Sequence, residues 1–321
     1  MANLKSIKTK IISYRKTGTV THAMEAVSAV KMRKSQERAL RGRAYAAAAL
    51  SILQRLAGTP ALKSHALLEV RSGPSTGSTP LATGALGVNK TCIVIITSDK
   101  GLAGSLNSAV IRKVEEEIRT RALKKDDIVM IAVGRRGGDF FQSRGYDVRM
   151  KHENLGDGVS EAEIRVVTDK IVEWHHAGEI GTAIVAYQNF LSTFEQEAGV
   201  RQLVPITPAM IAEMVKHIRP AKGKYAPTQE EKPQQPAVYT IEPDPDEVLD
   251  VLLPKLLNIA VFHALLEAKA SEHSARMVAM KNATDKAKEM AGDLTRTFNK
   301  VRQAAITREV SEITSGIEAM R

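Results

Sequence analysis

A chain of 321 residues that is 43% hydrophobic but only 4% aromatic is long enough for more than one folded unit and packs its interior with aliphatic side chains. Its formal charge of +10 and pI near 9.6 ask for an anionic partner without choosing among nucleic acid, lipid and acidic protein. The single cysteine, Cys92, excludes an internal disulfide and a thiol-pair redox switch.

From residue 1 to 57 the only carboxylates are Glu25 and Glu37, against a long series of lysines and arginines, so the positive charge gathers at this end. Apolar side chains recur at Leu4, Ile7, Ile11 and Tyr14, then at Val20, Met24 and Val27, and again at Leu50, Leu53 and Leu56, which is helical spacing. No proline interrupts the pattern before "GTP" at 58–60. A continuous helix of this length would reach roughly 80 Å, too long to be packed within one small domain.

A connection over 58–90 follows, with the small polar stretch "RSGPSTGSTPLATGALG" at 71–87 read as flexible. Between 91 and 217 the pattern changes. "TCIVIIT" (91–97), "DIVMIAV" (127–133), "YDVRM" (146–150) and "TAIVAYQ" (182–188) read as strands, and "RQLVPIT" as an edge strand that tolerates Pro205. "SLNSAVIRKVEEEIRTRAL" and "SEAEIRVVTDKIVEWHHA" read as helices, the second opened by a capping box of Ser160 and Glu163. Cys92 falls in the first strand and reads as a small buried hydrophobe.

A proline-rich connection over 218–245 contains "RPAKGKYAPTQEEKPQQP" and leads to a last helix over 246–321, with Asp246 as its expected cap and a kink expected near Leu253, ahead of Pro254. Alternating steps of four and three join Ala287, Ala291, Leu294, Phe298, Val301 and Ala305, and after a skip Val310, Ile313, Ile317 and Met320, as in a coiled-coil seam. Neither terminal helix buries its stripe alone, so the expected fold is α/β: a long antiparallel coiled coil of N- and C-terminal helices plus a Rossmann-like parallel-sheet domain over 91–217.

Chemistry is harder to find. "TSDKGLAGSLN" (97–107) sets Gly101 and Gly104 after an apolar strand, but a phosphate loop of the Walker type needs a lysine where Ser105 stands. "GRRGG" (134–138) also follows a strand and lacks the order of glycines that admits a dinucleotide. His175 and His176 are adjacent, so on a helix they diverge, and the expected place for them is a solvated helix end rather than a metal site. "EPDPDE" reads as a rigid turn and helix start. "KMRKSQERALRGR" could meet phosphates but carries no nucleic-acid module and has only Tyr45 nearby as an aromatic. The residues themselves thus give an antiparallel helical shaft beside an α/β domain, and leave open a nucleotide-binding α/β enzyme with helical dimerisation arms and a basic coiled-coil nucleic-acid scaffold.

"AMEAVSAVKMRKSQ" (23–36), "TSDKGLAGSLN", "SEHSARMVAMKNATDKAKEM" and "RQAAITREVSEITSGIEAM" resemble, in that order and across nearly the whole chain, the gamma-subunit family of F-type ATP synthases, of bacterial type. The resemblance implies a non-catalytic rotor subunit that carries torque between the membrane c-ring and a ring of alpha and beta subunits, with an epsilon subunit as further partner and no cofactor, metal or nucleic acid of its own. It implies that Met24, Lys31, Arg33, Lys34, Arg276, Arg302, Gln303 and Thr307 face the beta subunits and that Tyr239 and Glu242 form the foot on the c-ring. The start "MANLKSIKTK" has no apolar segment followed by a cleavage site and no stretch of about 18 to 20 continuous apolar residues occurs, which leads to the expectation of a protein kept in the cytoplasm; the resemblance implies peripheral attachment to the cytoplasmic face of a bacterial plasma membrane. Two positions depart from the family pattern: Ala103 stands where many relatives have cysteine, and Ile317 where alanine or serine is usual. Plant chloroplast forms add a regulatory cysteine pair, which Cys92 alone cannot make.

Overall fold

The computed structural model describes residues 4–41, 67–68, 90–207 and 244–320. They divide into two compact units, Met1–Val30 with Arg276–Arg321, and Lys31–Ala275. Helix α1 (Leu4–Arg41) and helix α5 (Pro245–Ala319) each contribute to both units. The remaining elements, all in the second unit, are β1 (Lys90–Ile96), α2 (Leu106–Thr120), β2 (Ile128–Val133), α3 (Arg135–Ser143), β3 (Asp147–His152), α4 (Glu161–His176), β4 (Ile180–Phe190) and β5 (Gln196–Val204).

The second unit is built on a five-stranded sheet in the order β3-β2-β1-β4-β5. β1 is parallel to β2 and β4, β2 is parallel to β3, and β5 closes the edge antiparallel to β4. "CIVII" and "IVMIAV" are buried on both faces, which is why they read as unbroken apolar runs rather than alternating ones. Ile93, Ile95 and Met130 point to one face, where Val110, Val114 and Ile118 of α2 and Phe141 of α3 cover them. Cys92, Val94 and Ile96 point to the other, against Ile164, Val167 and Ile171 of α4 and Leu249, Leu253, Leu257 and Val261 of α5. Helix α5 holds a window with mean hydropathy 1.7, apolar enough to span a bilayer by composition, but 67% of it is buried, because this stretch is core.

Leu67, inside the expected connection over 58–90, also belongs to this core: it is fully buried and its carbonyl accepts the amide of Ile206 at 2.8 Å. The rest of that connection apart from Leu68 and Lys90, most of the one over 218–245, and the first helix beyond residue 41, including Tyr45, lie outside the described residues.

In the first unit the helices pair antiparallel. Thr21 and Thr284 share a hydrogen bond of 2.6 Å, and three residues earlier on α1, Gly18 faces Ala287, three residues later on α5. Small side chains line this seam: Thr21, Ser28, Thr284, Ala287 and Ala291 are buried, with Ile7, Ile11 and Met280.

Three expectations change. The seam fades past Ala291: Leu294, Phe298 and Val301 are half-buried, and Ala305, Val310, Ile313, Ile317 and Met320 are exposed. The antiparallel register puts Leu4 about level with Val301, so none of the described part of α1 lies opposite the later positions. "RRGGDFFQS", which the sequence marks only as a glycine-bearing segment after a strand, forms helix α3. His175 is fully buried in the last turn of α4, while His176 is exposed as expected. Helix α5 starts at Pro245, with the Asp244 carbonyl accepting the Val248 amide, so the start lies one residue before Asp246; Pro254 falls inside the helix, as its place in the sequence pattern implies.

Candidate coupling site

The glycine loop after β1 spends its polar groups on its neighbours. Asp99 Oδ1 accepts the amide of Arg135 at 3.0 Å, the Ser98 carbonyl accepts that of Arg136 at 3.3 Å, and Thr97 Oγ1 accepts that of Gly137 at 2.9 Å. These are the first amides of α3, the groups that would otherwise be offered to a phosphate. Gly134 and Gly137 have a packing role: a Cβ on Gly134, whose φ is +98°, would lie 2.0 Å from the Thr97 carbonyl oxygen, and one on Gly137 would lie 3.0 Å from the Thr97 side chain.

The second oxygen of Asp99 accepts the amide of Asn154 at 3.1 Å, which fixes the loop between β3 and α4 over the carboxyl end of the sheet. At the far side of that loop stands Asp157. Its carboxylate accepts a hydrogen bond from Lys31 Nζ of α1 at 2.7 Å and another from His273 Nε2 of α5 at 2.8 Å. Its carbonyl accepts from Arg38 of α1, and two residues earlier the Leu155 carbonyl accepts from Lys269 of α5 at 2.6 Å. Burial alone would raise the Asp157 carboxyl, but the hydrogen bonds and charges of Lys31 and His273 outweigh it and hold the group down to about 2. A single loop thus receives basic side chains from both long helices.

A second set of contacts fastens α5 to the sheet edge. Ser271 Oγ donates to the Gln188 carbonyl at 3.0 Å and Ser274 Oγ to the Thr193 carbonyl at 2.5 Å, tying the β4–β5 hairpin to the helix. One turn back, Glu267 lies 3.6 Å from Arg201 and 3.5 Å from His263, beside Tyr187. Burial pushes the Glu267 carboxyl upward, against the opposing charge of Arg201. Ser271 and Ser274 are fully buried, which lets helix and hairpin approach closely.

The residues expected at partner surfaces are distributed as follows. On α1, Met24 is half-buried and Arg33 and Lys34 are exposed, while Lys31 is engaged with Asp157 and still 45% exposed. On α5, Arg276 is half-buried and Arg302, Gln303 and Thr307 are exposed. Tyr239 and Glu242 lie outside the described residues. Asp157, His273, Lys269 and the serine pair were not anticipated. The one trace of His273 and the serine pair in the sequence is "SEHS" (271–274), four polar residues set into an apolar helix pattern.

The family model described as ATP synthase matches residues 3–320. The ATP synthase gamma chain of Heliobacterium modesticaldum is 37% identical over 320 residues, covering 100% of both chains. That of Symbiobacterium thermophilum is 36% identical over 321 residues, covering 99% of each. Among solved structures, a chain of the Euglena gracilis mitochondrial ATP synthase, in its OSCP, F1 and c-ring assembly, superposes with a TM-score of 0.62 at 17% identity, over 99% of this chain and 94% of that one. A chain from the central stalk and c-ring of the Tetrahymena thermophila enzyme does so with a TM-score of 0.54 at 22% identity, over 82% and 99%. At these identities the two structures speak for a shared fold.

Proposed function

The chain belongs to the ATP synthase gamma-chain family, and from that membership and the Asp157 junction we infer that it is the central-stalk rotor of an F-type ATP synthase, transmitting torque between a membrane c-ring and the catalytic alpha/beta ring in ATP synthesis or hydrolysis. It is a non-catalytic subunit. Torque needs two things of such a chain: helices with unequal faces, so that each beta subunit meets a different surface at each angle, and an attachment that stops those helices turning against the side domain. The single observation that supports the second is the loop at Asp157, which takes Lys31 and Arg38 from one helix and Lys269 and His273 from the other.

In this reading Met24, Lys31, Arg33 and Lys34 on α1 and Arg276, Arg302, Gln303 and Thr307 on α5 meet the beta subunits, the cations facing acidic surface there. Tyr239 and Glu242 stand on the c-ring, and an epsilon subunit binds the same stalk. The subunit is peripheral to the membrane, on the cytoplasmic face of a bacterial plasma membrane. Nucleotides belong to the alpha and beta subunits, in keeping with the use of the first α3 amides by Thr97, Ser98 and Asp99.

Co-expression with alpha and beta subunits tests this. One copy of the chain should purify with three alpha–beta pairs, and the isolated chain should show neither ATPase activity nor saturable ATP binding. A chain that hydrolyses ATP alone, or that fails to enter the complex, overturns it.

A further inference from the structure

The torque reading leaves one feature unused. On the sheet face carrying α2 and α3, the two helices flank an open groove of about 720 Å³ whose lining includes Ile111, Arg112, Glu115, Arg136, Phe140 and Arg144. Several cations elsewhere on this unit are paired within the chain: Lys113 with Glu116, Arg121 with Glu117, Arg149 with Asp147 and Glu179, and Lys151 with Asp139. In the groove three arginines come together, Arg112 donating to the Ser108 carbonyl and Arg144 to the Phe140 carbonyl. Among the described residues no carboxylate lies within ion-pair distance of Arg112, Arg136 or Arg144, and Asp139, the groove's second carboxylate besides Glu115, is taken by Lys151.

The glycine loop forms one lip. The Arg136 guanidinium lies 3.3 Å from the place a Cβ on Gly101 would take. The next residue, Leu102, has φ of +66° and is 62% exposed. Leucine is costly in the left-handed region, and an apolar side chain is costly in water, so this lip holds strained backbone and displays a leucine.

We propose that this groove is a docking surface for an acidic, amphipathic polypeptide segment of a partner protein, whose carboxylates pair with Arg112, Arg136 and Arg144, the last seated 3.5 Å above the Phe140 ring, and whose apolar side chains lie along Ile111 and the Leu102 lip. Charge complementarity argues for an acidic occupant. Two features argue for a polypeptide over a compact polyanion: Glu115 stands among the arginines and repels dense negative charge, and Ile111 and the Leu102 lip give a polyphosphate nothing to contact. A chain that spaces its carboxylates between apolar residues satisfies both. The inference does not depend on the rotor assignment, since it concerns a different face and different residues.

The test uses the full chain and a labelled amphipathic peptide of Glu-Leu-Glu-Glu repeats, followed by fluorescence anisotropy. The double variant Arg112→Glu, Arg136→Glu should weaken binding by about tenfold or more, as expected for two lost charge pairs in a partly desolvated groove. A control of equal net charge change, Arg165→Glu with Lys170→Glu on exposed α4 positions, should leave affinity within about twofold. Leu102→Asn suits the left-handed backbone, so it should hold or raise the melting temperature while weakening the peptide. Equal losses in the groove variant and the control overturn the proposal in favour of net charge. Absence of binding by the unaltered chain overturns it, and so does full displacement of the peptide by tripolyphosphate at matched charge, which would mark a small-anion site.

Discussion

His273, buried on α5, donates to the carboxylate of Asp157 at 2.8 Å, and the same carboxylate receives Lys31 of α1 at 2.7 Å. One acidic side chain therefore holds two helices that are far apart in sequence. The Asp157 side chain is 35% exposed, so solvent screens the pair and its worth stays modest. Asp157→Asn should cost about 1 to 2 kcal/mol, in the range for charge-assisted hydrogen bonds. The pH dependence has a definite sign. With its folded value held down to about 2, below the ordinary carboxylate range, Asp157 contributes stability that is present above about pH 4 and lost as pH falls through its folded value. The gap in urea midpoint between the parent chain and Asp157→Asn should narrow across that acid window. A gap that does not change with pH would show that the carboxylate charge is irrelevant to the junction. Lys31→Met should also lower the stability of the isolated chain, which a residue engaged only with a partner subunit would not do.

The glycines separate packing from function in a second way. Gly18 lies inside α1, where a Cβ would meet Ala287 at an ordinary 3.7 Å, so Gly18→Ala should raise stability by about 0.5 to 1 kcal/mol through helix propensity and a less flexible unfolded chain. Gly134, at φ +98° with the Thr97 carbonyl 2.0 Å from any Cβ, allows no such change, and Gly134→Ala should cost about 3 kcal/mol or more, or prevent folding. Denaturation followed by circular dichroism reads both. A tolerated Gly134→Ala would mean that the turn from β2 into α3 is not fixed by the contact with Thr97.

These residues also show what the sequence displays and what it hides. "CIVII" is legible as a buried central strand because both of its faces need apolar side chains, and Ser160 is legible as a cap because its partner, Glu163, is three residues away, where its amide donates to the Ser160 hydroxyl at 3.4 Å. α3 is not legible. "RRGGD" has poor helix propensity, and the helix persists because Gly137 and Gly138 let it approach Thr97, Ala132 and Lys151 closely. His175 reads as a polar helix end, whereas the last turn of α4 is packed against the unit's interior. The Asp157 junction joins residues more than a hundred positions apart, so no local period can announce it. The family motifs, being local strings, were legible across the chain.

The end of α5 carries the remaining prediction. From Ile306 to Met320 the apolar positions continue the stripe expected of a seam, yet Ile306, Val310, Ile313 and Ile317 are 51 to 59% exposed and Met320 is 85% exposed. A lone helix of this length is marginal in water, and an apolar stripe that buries nothing adds little to the fold. Removing the chain from Ile306 onward should therefore change the stability of the isolated protein by no more than about 0.5 kcal/mol, the usual size for surface changes, and should leave the α/β unit folded. In the assembled complex the same stripe has a ring of alpha and beta subunits to meet, so the truncation should weaken assembly or torque. Proton-driven ATP synthesis in reconstituted vesicles, with circular dichroism of the isolated truncated chain beside it, separates the two effects. Coupling that survives intact would show that the exposed stripe is not used in the ring, and a collapsed α/β unit would show that these residues support the fold through contacts the exposed surface does not reveal.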